Sequence, residues 1–197
     1  MKTFDIDVFL RKQVPAIFII WICSIFLVYP DRNLVQITIG VIFVEFWIYF
    51  VHRLGHSFPK EGMLGMLNTH WQFHHQHHKL LDRRVELIIE MFTDLAMNFT
   101  LLGIQLLTGV WFVPLSIILY HALVYTSVHI INYSMIGSET HKKHHMNHDT
   151  NFGPDTMDQI FSSSEDGELE DMTPILINAV VAFGIVFYLK NHYGWTD

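Results

Sequence analysis

"VPAIFIIWICSIFLVYPDRNLVQITIGVIFVEFWIYFV", residues 14–51, decides the fold class. It holds two apolar runs, Val14–Tyr29 and Leu34–Val51, around the turn Pro30-Asp31-Arg32-Asn33. Crossing the hydrocarbon core of a bilayer takes about 17–25 helical residues, and each run with its flanks meets that length. So short a turn predicts a transmembrane helical hairpin. Farther along, the apolar region from about Leu87 to Ile136 is too long for one span. Thr108-Gly109 through Pro114 offers a place to reverse, which predicts a second hairpin. A shorter run, Pro174–Leu189, reads as a fifth span or as a helix lying in the interface. Composition agrees: 51% of the chain is hydrophobic and only 16% charged, which fits a polytopic membrane protein and not an ordinary soluble domain.

The expected fold is therefore all-α, with two transmembrane hairpins making four spans, within a single integral-membrane domain over residues 1–197. The first apolar run is followed by no small-residue cleavage pattern, so it reads as a retained span. The single cysteine, Cys23, excludes a disulfide framework. Lys and Arg set the orientation. Lys2, Arg11, Lys12, Arg53, Lys60, Lys79, Arg83, Arg84, Lys142 and Lys143 fall on one side of this topology, and only Arg32 sits firmly on the other. The N-terminus and both polar segments, about 52–86 and 137–173, are thus expected in the cytoplasm. Nucleic acid is not an expected partner.

Histidine occupies those polar segments. Seven of the 14 lie between His52 and His78, six between His121 and His148, and His192 stands apart. Two hairpins would deliver both groups to one membrane face as a cytoplasmic His-rich cap. In "HRLGH" (52–56), His52 and His56 stand at i and i+4, the spacing by which one helix offers two nitrogens to a metal. In "HHQHH" (74–78), His74, His77 and His78 share a narrow helical sector, and His141, His144 and His145 repeat that spacing in "HKKHH" (141–145). Read as α-helix, the stretch "HWQFHHQHH" (70–78) places His70 in the triplet's sector and turns His75 about 100° away, as a non-ligand.

A lone imidazole near an interface is usually an amphipathic side chain at a wet boundary, and His148 and His192 read that way. Three imidazoles on one face repel when protonated and lack partners when buried. A bound cation resolves both problems, since neutral imidazole is the commonest protein metal ligand. The three motifs supply eight histidines, twice what one tetrahedral metal takes, so two metals are expected. His129 in "SVHIIN" is the candidate ninth ligand; His121 and His70 are further candidates. Imidazole alone does not select the element.

Carboxylates accompany the histidines. Glu86, Glu90 and Asp94 recur at i, i+4 and i+8 on one helical face, and ionisable groups within a span normally face the bundle interior. They could orient ligating imidazoles from behind, as could Glu45, seven residues before His52. Glu86 could equally pair with Arg83 or Arg84.

The order and spacing of "HRLGH", "HHQHH" and "HKKHH" resemble the three histidine motifs of the fatty acid hydroxylase/sterol desaturase superfamily. Downstream, "NFGPDTMDQIF" (151–161) resembles that family's stretch after the last motif, with Met157 where a Trp is usual and Ser162 where a Gly is. The resemblance covers roughly His52 to Phe161. It implies a non-haem di-iron centre on the cytoplasmic side of a four-helix membrane core. His52, His56, His74, His77, His78, His141, His144 and His145 would be its ligands, His129 would match the isolated histidine before the last motif, and His70 would be spare. Asp158 would match the acidic residue of the trailing signature, in a supporting role. The implied cofactors are two iron ions, with zinc able to replace them in purified material. The implied reaction is O2-dependent oxidation of an unactivated C–H bond of a lipid, such as a fatty acyl chain or sterol. Electrons would come from a separate donor, a cytochrome b5 or ferredoxin-type reductase system.

Hydroxylation is the expected outcome, with desaturation by the same superfamily as the nearest alternative. The host membrane would be the endoplasmic reticulum in a eukaryote or the inner membrane in a bacterium. A membrane metal carrier would instead place its ionisable groups near the bilayer midplane, and a haem anchor would need far fewer histidines.

Overall fold

The structure, a computed structural model, describes residues 5–65, 68, 70–75, 82–165, 167 and 169–197, without the side chains of Phe73 and His74. All regular structure among them is helical. Helix α1 (Ile6–Lys12) leads into α2 (Val14–Val28), and α3 (Leu34–Ser57) is followed by the single turn α4 (Gly62–Gly65) and a π-helical turn, His70–His75. Helix α5 (Arg83–Thr108) precedes α6 (Leu115–Ser127), which continues as a π-helix through Val128–Gly137. Short helices α7 (Glu139–Met146) and α8 (Asp155–Ile160) lead to a 3-10 turn, Thr173–Ile175, and to α9 (Leu176–Tyr193).

Local chemistry sets the boundaries. Asn33 and Gln36 form a reciprocal capping box that starts α3, and Asp82 caps α5. Gly109, in the left-handed region at φ 70°, ends α5. Four helical stretches are long and apolar enough to cross a membrane: Leu34–Ser57, Arg83–Thr108, Leu115–Gly137 and Thr173–Tyr193.

The first and the last of the apolar runs take forms that run length leaves open. The first run is only 15 residues of helix, Val14–Val28, and reaches spanning length only together with Ile6–Lys12 across a 48° bend. Pro15 explains the break, since its ring clashes with the carbonyl four residues back and it donates no N–H. The C-terminal run, short by sequence, becomes a 21-residue helical stretch because Thr173 and Lys190–Tyr193 extend it. It lies along α2 in the same direction. Met172 N–H donates to Lys12 O at 3.0 Å near one end, and Lys190 Nζ donates to Leu27 O at 2.7 Å near the other.

The apolar surface faces outward. Phe18, Phe26, Ile42, Phe92, Leu107 and Ile177 are all exposed, as side chains meeting hydrocarbon should be. Helix α5 shows the inversion most clearly, with Glu86, Glu90, Asp94, Asn98 and Gln105 buried along one stripe. A helix whose polar face is buried and whose apolar face is bare has lipid as its solvent.

Gln105 joins α5 to the start of α6. Its Nε2 donates to Val113 O at 3.0 Å and its Oε1 accepts from Val113 N–H at 2.9 Å. At membrane depth no water replaces those bonds. Gln105→Ala should therefore destabilise the protein by about 2–4 kcal/mol, two buried backbone groups being left unpaired. A marked fall in the melting midpoint in detergent is the expected result, with only partial recovery in Gln105→Glu, which keeps the acceptor and loses the donor.

Candidate metal centre

The last two turns of α3 place His52 and His56 one above the other, both buried. The next histidines come from the π-helical turn, which Asn68 fastens to α3. Asn68 Nδ2 donates to Gly55 O at 2.9 Å, and Asn68 Oδ1 accepts from Trp71 N–H at 3.1 Å. Within a π turn the hydrogen-bonded partners are five residues apart, so His70 and His75 come together. Helix α7, capped by Ser138, adds His144.

His52, His56, His70, His75 and His144 converge so that one nitrogen from each lies within 4.8 Å of all the others. The Nε2 atoms of His56, His70 and His75 form a triangle with sides of 3.0, 3.1 and 3.2 Å. His52 Nε2 and His144 Nε2 are buried without hydrogen-bond partners. The arrangement fits a metal ion. Nitrogens bound at about 2.1 Å to one cation lie about 3.0–3.4 Å from one another, whereas protons cannot satisfy three mutually facing ring nitrogens. Thr150 O accepts from His144 Nδ1 at 2.6 Å, which leaves Nε2 as the lone-pair nitrogen. Burial, reinforced by the neighbouring imidazoles, drives His70, His75 and His141 well below the usual histidine range. Burial holds His144 at about 4. These rings are therefore neutral at physiological pH, the state a metal requires.

Beside this cluster stands a second group. His141 Nε2 and His145 Nε2 are 3.0 Å apart, and the ring of His129 lies 4.8 Å from that of His141. His145 in turn packs 4.7 Å from His75, which links the groups. Asp94 Oδ2 accepts from His129 Nδ1 at 2.7 Å, fixing the tautomer that leaves Nε2 for a metal.

The stretch after α7 supports the site from below. Asp158 Oδ1 accepts from Phe152 N–H at 3.0 Å and Ser163 Oγ at 2.7 Å, and its Oδ2 accepts from Gly153 N–H at 2.5 Å. Burial pushes its carboxyl up to about 6 against those donors. The Phe152 ring thus held packs edge-on against His52, His56 and His144. Tyr49 OH, 2.9 Å from Ser163 Oγ, ties the loop back to α3.

The other sequence candidates fall as follows. His70 lies inside the five-histidine cluster. Glu86 and Glu90 receive Arg83 Nη1 at 3.3 and 3.4 Å, and Glu90 also accepts from Ser134 Oγ. Glu45 pairs with His121 at 3.0 Å. His148 packs its ring against His75 and Trp71, and His192 stacks on Tyr188. The side chain of His74 and the whole of His77 and His78 lie outside the described residues. His75 departs most from the sequence reading: a 100° step turns it away, but the segment is π-helical and brings it in. Phe152 carries no polar signal that could have singled it out, and the hydroxyl of Tyr49 sits in an apolar run at no distinctive spacing.

A cavity adjoins both groups. It is lined by His52, His129 and His141 at one end and by Ile20, Ile48 and Val124 along its walls.

Two variants probe the centre. His75→Ala should lower the metal content of purified protein as severely as His56→Ala, and metal analysis showing full occupancy would remove His75 from the cluster. Asp94→Asn should weaken metal binding by about 10–100-fold, read as earlier stripping by a chelator at unchanged helical content.

Comparison with known families adds one match. The family described as fatty acid hydroxylase matches residues 37–163, well over half of the chain. No curated protein and no solved structure matches. The matched stretch begins in α3 and ends just after the loop that seats Phe152, so it contains every element that contributes a histidine to the two groups. This integral membrane protein belongs to the fatty acid hydroxylase family, within the fatty acid hydroxylase/sterol desaturase superfamily.

Proposed function

We propose that the protein hydroxylates an unactivated C–H bond of a lipid with O2, using two irons held by the two histidine groups. The observation that carries this reading is the convergence of buried imidazoles beside a cavity with apolar side chains in its walls. His52, His56, His70, His75 and His144 would share the first iron. His129, His141 and His145 would contribute to the second, with His74, His77 and His78 as the remaining candidates. Bound there, the irons would activate O2 and abstract hydrogen, which amino-acid side chains cannot do.

The chain's own residues supply the rest. The apolar walls hold an acyl or sterol skeleton and exclude water, which positions one carbon and suppresses side reactions. Asp94 and Thr150 O keep His129 and His144 in their ligating tautomers. Phe152, seated by Asp158, closes the space beneath the cluster. A metal carrier needs ligands that release their ion, and five interlocked, buried rings oppose release.

The bias of Lys and Arg favours a topology with the histidine groups in the cytoplasm, through two hairpins and a fifth span. Lys190 bears on the fifth span alone: its ammonium lies 3.0 Å from Asp31 in the turn after α2, which puts the end of α9 on the far side from the histidines. Electrons would then come from a cytoplasmic donor of the cytochrome b5 or ferredoxin-reductase type. Expression in a host lacking the activity, followed by lipid mass spectrometry, tests the reading. Wild type should yield a lipid that has gained one oxygen, and His144→Ala should yield none while remaining inserted in the membrane. A lipid that has lost two hydrogens would assign desaturation, and unaltered lipids with a metal-loaded protein would refute both.

A further inference from the structure

The cavity reaches from the histidine groups down to a second polar feature. Glu45 and His121 lie in the middle of α3 and α6, and both line the cavity. His121 Nδ1 stands 3.0 Å from Glu45 Oε1. His121 is only 2% exposed, and its Nε2 is buried with no partner. Seven residues separate Glu45 from His52, and eight separate His121 from His129, so the pair sits about 10–12 Å along the helices from the metal centre.

Ionisable groups at that depth are expensive and mark function by default. Their mutual hydrogen bond explains one nitrogen and one oxygen and leaves Nε2 unsatisfied. Packing alone would be better served by more of the aliphatic residues that surround them, Ile20, Ile48 and Val124. With Nδ1–H donating to the carboxylate, Nε2 of the neutral ring is an acceptor, and the side chain of Glu45 remains a quarter exposed. The pair thus presents acceptors and asks for a donor.

We infer that the cavity takes a lipid bearing a hydroxyl group about 10 Å from the carbon presented to the metals, and that the Glu45–His121 pair recognises that hydroxyl. The inference rests on the reading of this cavity as the lipid site. It narrows the substrate class to hydroxylated lipids and makes His121 a specificity-determining residue.

Dodecanol and dodecane test it, as probes that differ by one hydroxyl. Binding is read by thermal shift on the full-length, metal-loaded protein in detergent. Wild type should bind dodecanol about tenfold more tightly than dodecane, the scale of one buried hydrogen bond. His121→Phe should erase that margin, and His121→Gln, whose amide still accepts, should keep it. His56→Ala should also keep it, which separates this site from an alcohol bound at the metals. If His121→Phe does not fold, Glu45→Leu carries the same test, because it removes the carboxylate that fixes the ring. Equal binding of both probes by wild type would overturn the inference, as a resident water on Nε2 would produce, and so would a margin that survives in both variants. The proposed reaction fails separately: unaltered lipids in the expression host with the dodecanol margin intact would remove the reaction and leave the site. A vanished margin with lipid oxidation intact would remove the site alone.

Discussion

Three imidazole nitrogens held 3.0–3.2 Å apart have no stable arrangement of protons among them. If two rings bond, the third faces a lone pair or another N–H; if all are charged, they repel in a buried volume. One cation removes the conflict, and the surrounding structure is arranged to allow it. The rings are buried, so they stay neutral. Outer groups such as Asp94 and Thr150 O take the other nitrogen of their rings, and the Phe152 ring fills the space where water could otherwise enter. The end of α3, the π turn and α7 together bring these rings to one place.

The bilayer imposes the complementary constraint. Hydrocarbon offers no hydrogen bonds, so polar groups must find partners within the protein. Helix α5 therefore turns its carboxylates, Asn98 and Gln105 inward, and the same stripe serves different ends along its length. At one end Glu86 and Glu90 hold Arg83; in the middle Asp94 orients His129; at the other Gln105 seals the connection to α6. Glu45 and His121 satisfy one another only in part and line a cavity. Their unsatisfied nitrogen beside a cavity is where the fold leaves room for a ligand.

Hydrophobic run length made most of the helical architecture legible in the sequence. The breaks at Thr108–Pro114 and at Pro30–Asn33 coincide with the observed helix ends because Gly109 and the Asn33 cap act locally. Run length left the exact form of α2 and α9 open, because their effective lengths depend on a proline break and on extension by flanking residues. The i, i+4 pair His52/His56 was readable because α3 is a regular helix. His75 was not, because the step per residue changes in a π turn, and nothing in "HWQFHHQHH" announces that change. Phe152 contributes by packing and Tyr49 by a hydrogen bond to a residue 114 positions away, and neither leaves a mark in local spacing.

By itself, then, the sequence determined that the chain is helical, lives in a membrane and carries imidazoles at spacings that could hold a metal, since these follow from composition and from periodicity along one element. Which nitrogens meet was decided only by the tertiary structure. Convergence depends on the angles between α3, the π turn and α7, and on the loop that Asp158 fastens, and such distances across the chain are not encoded in local spacing. The same holds for Glu45 and His121: 76 positions apart in sequence, they become a pair only because α3 and α6 pack side by side.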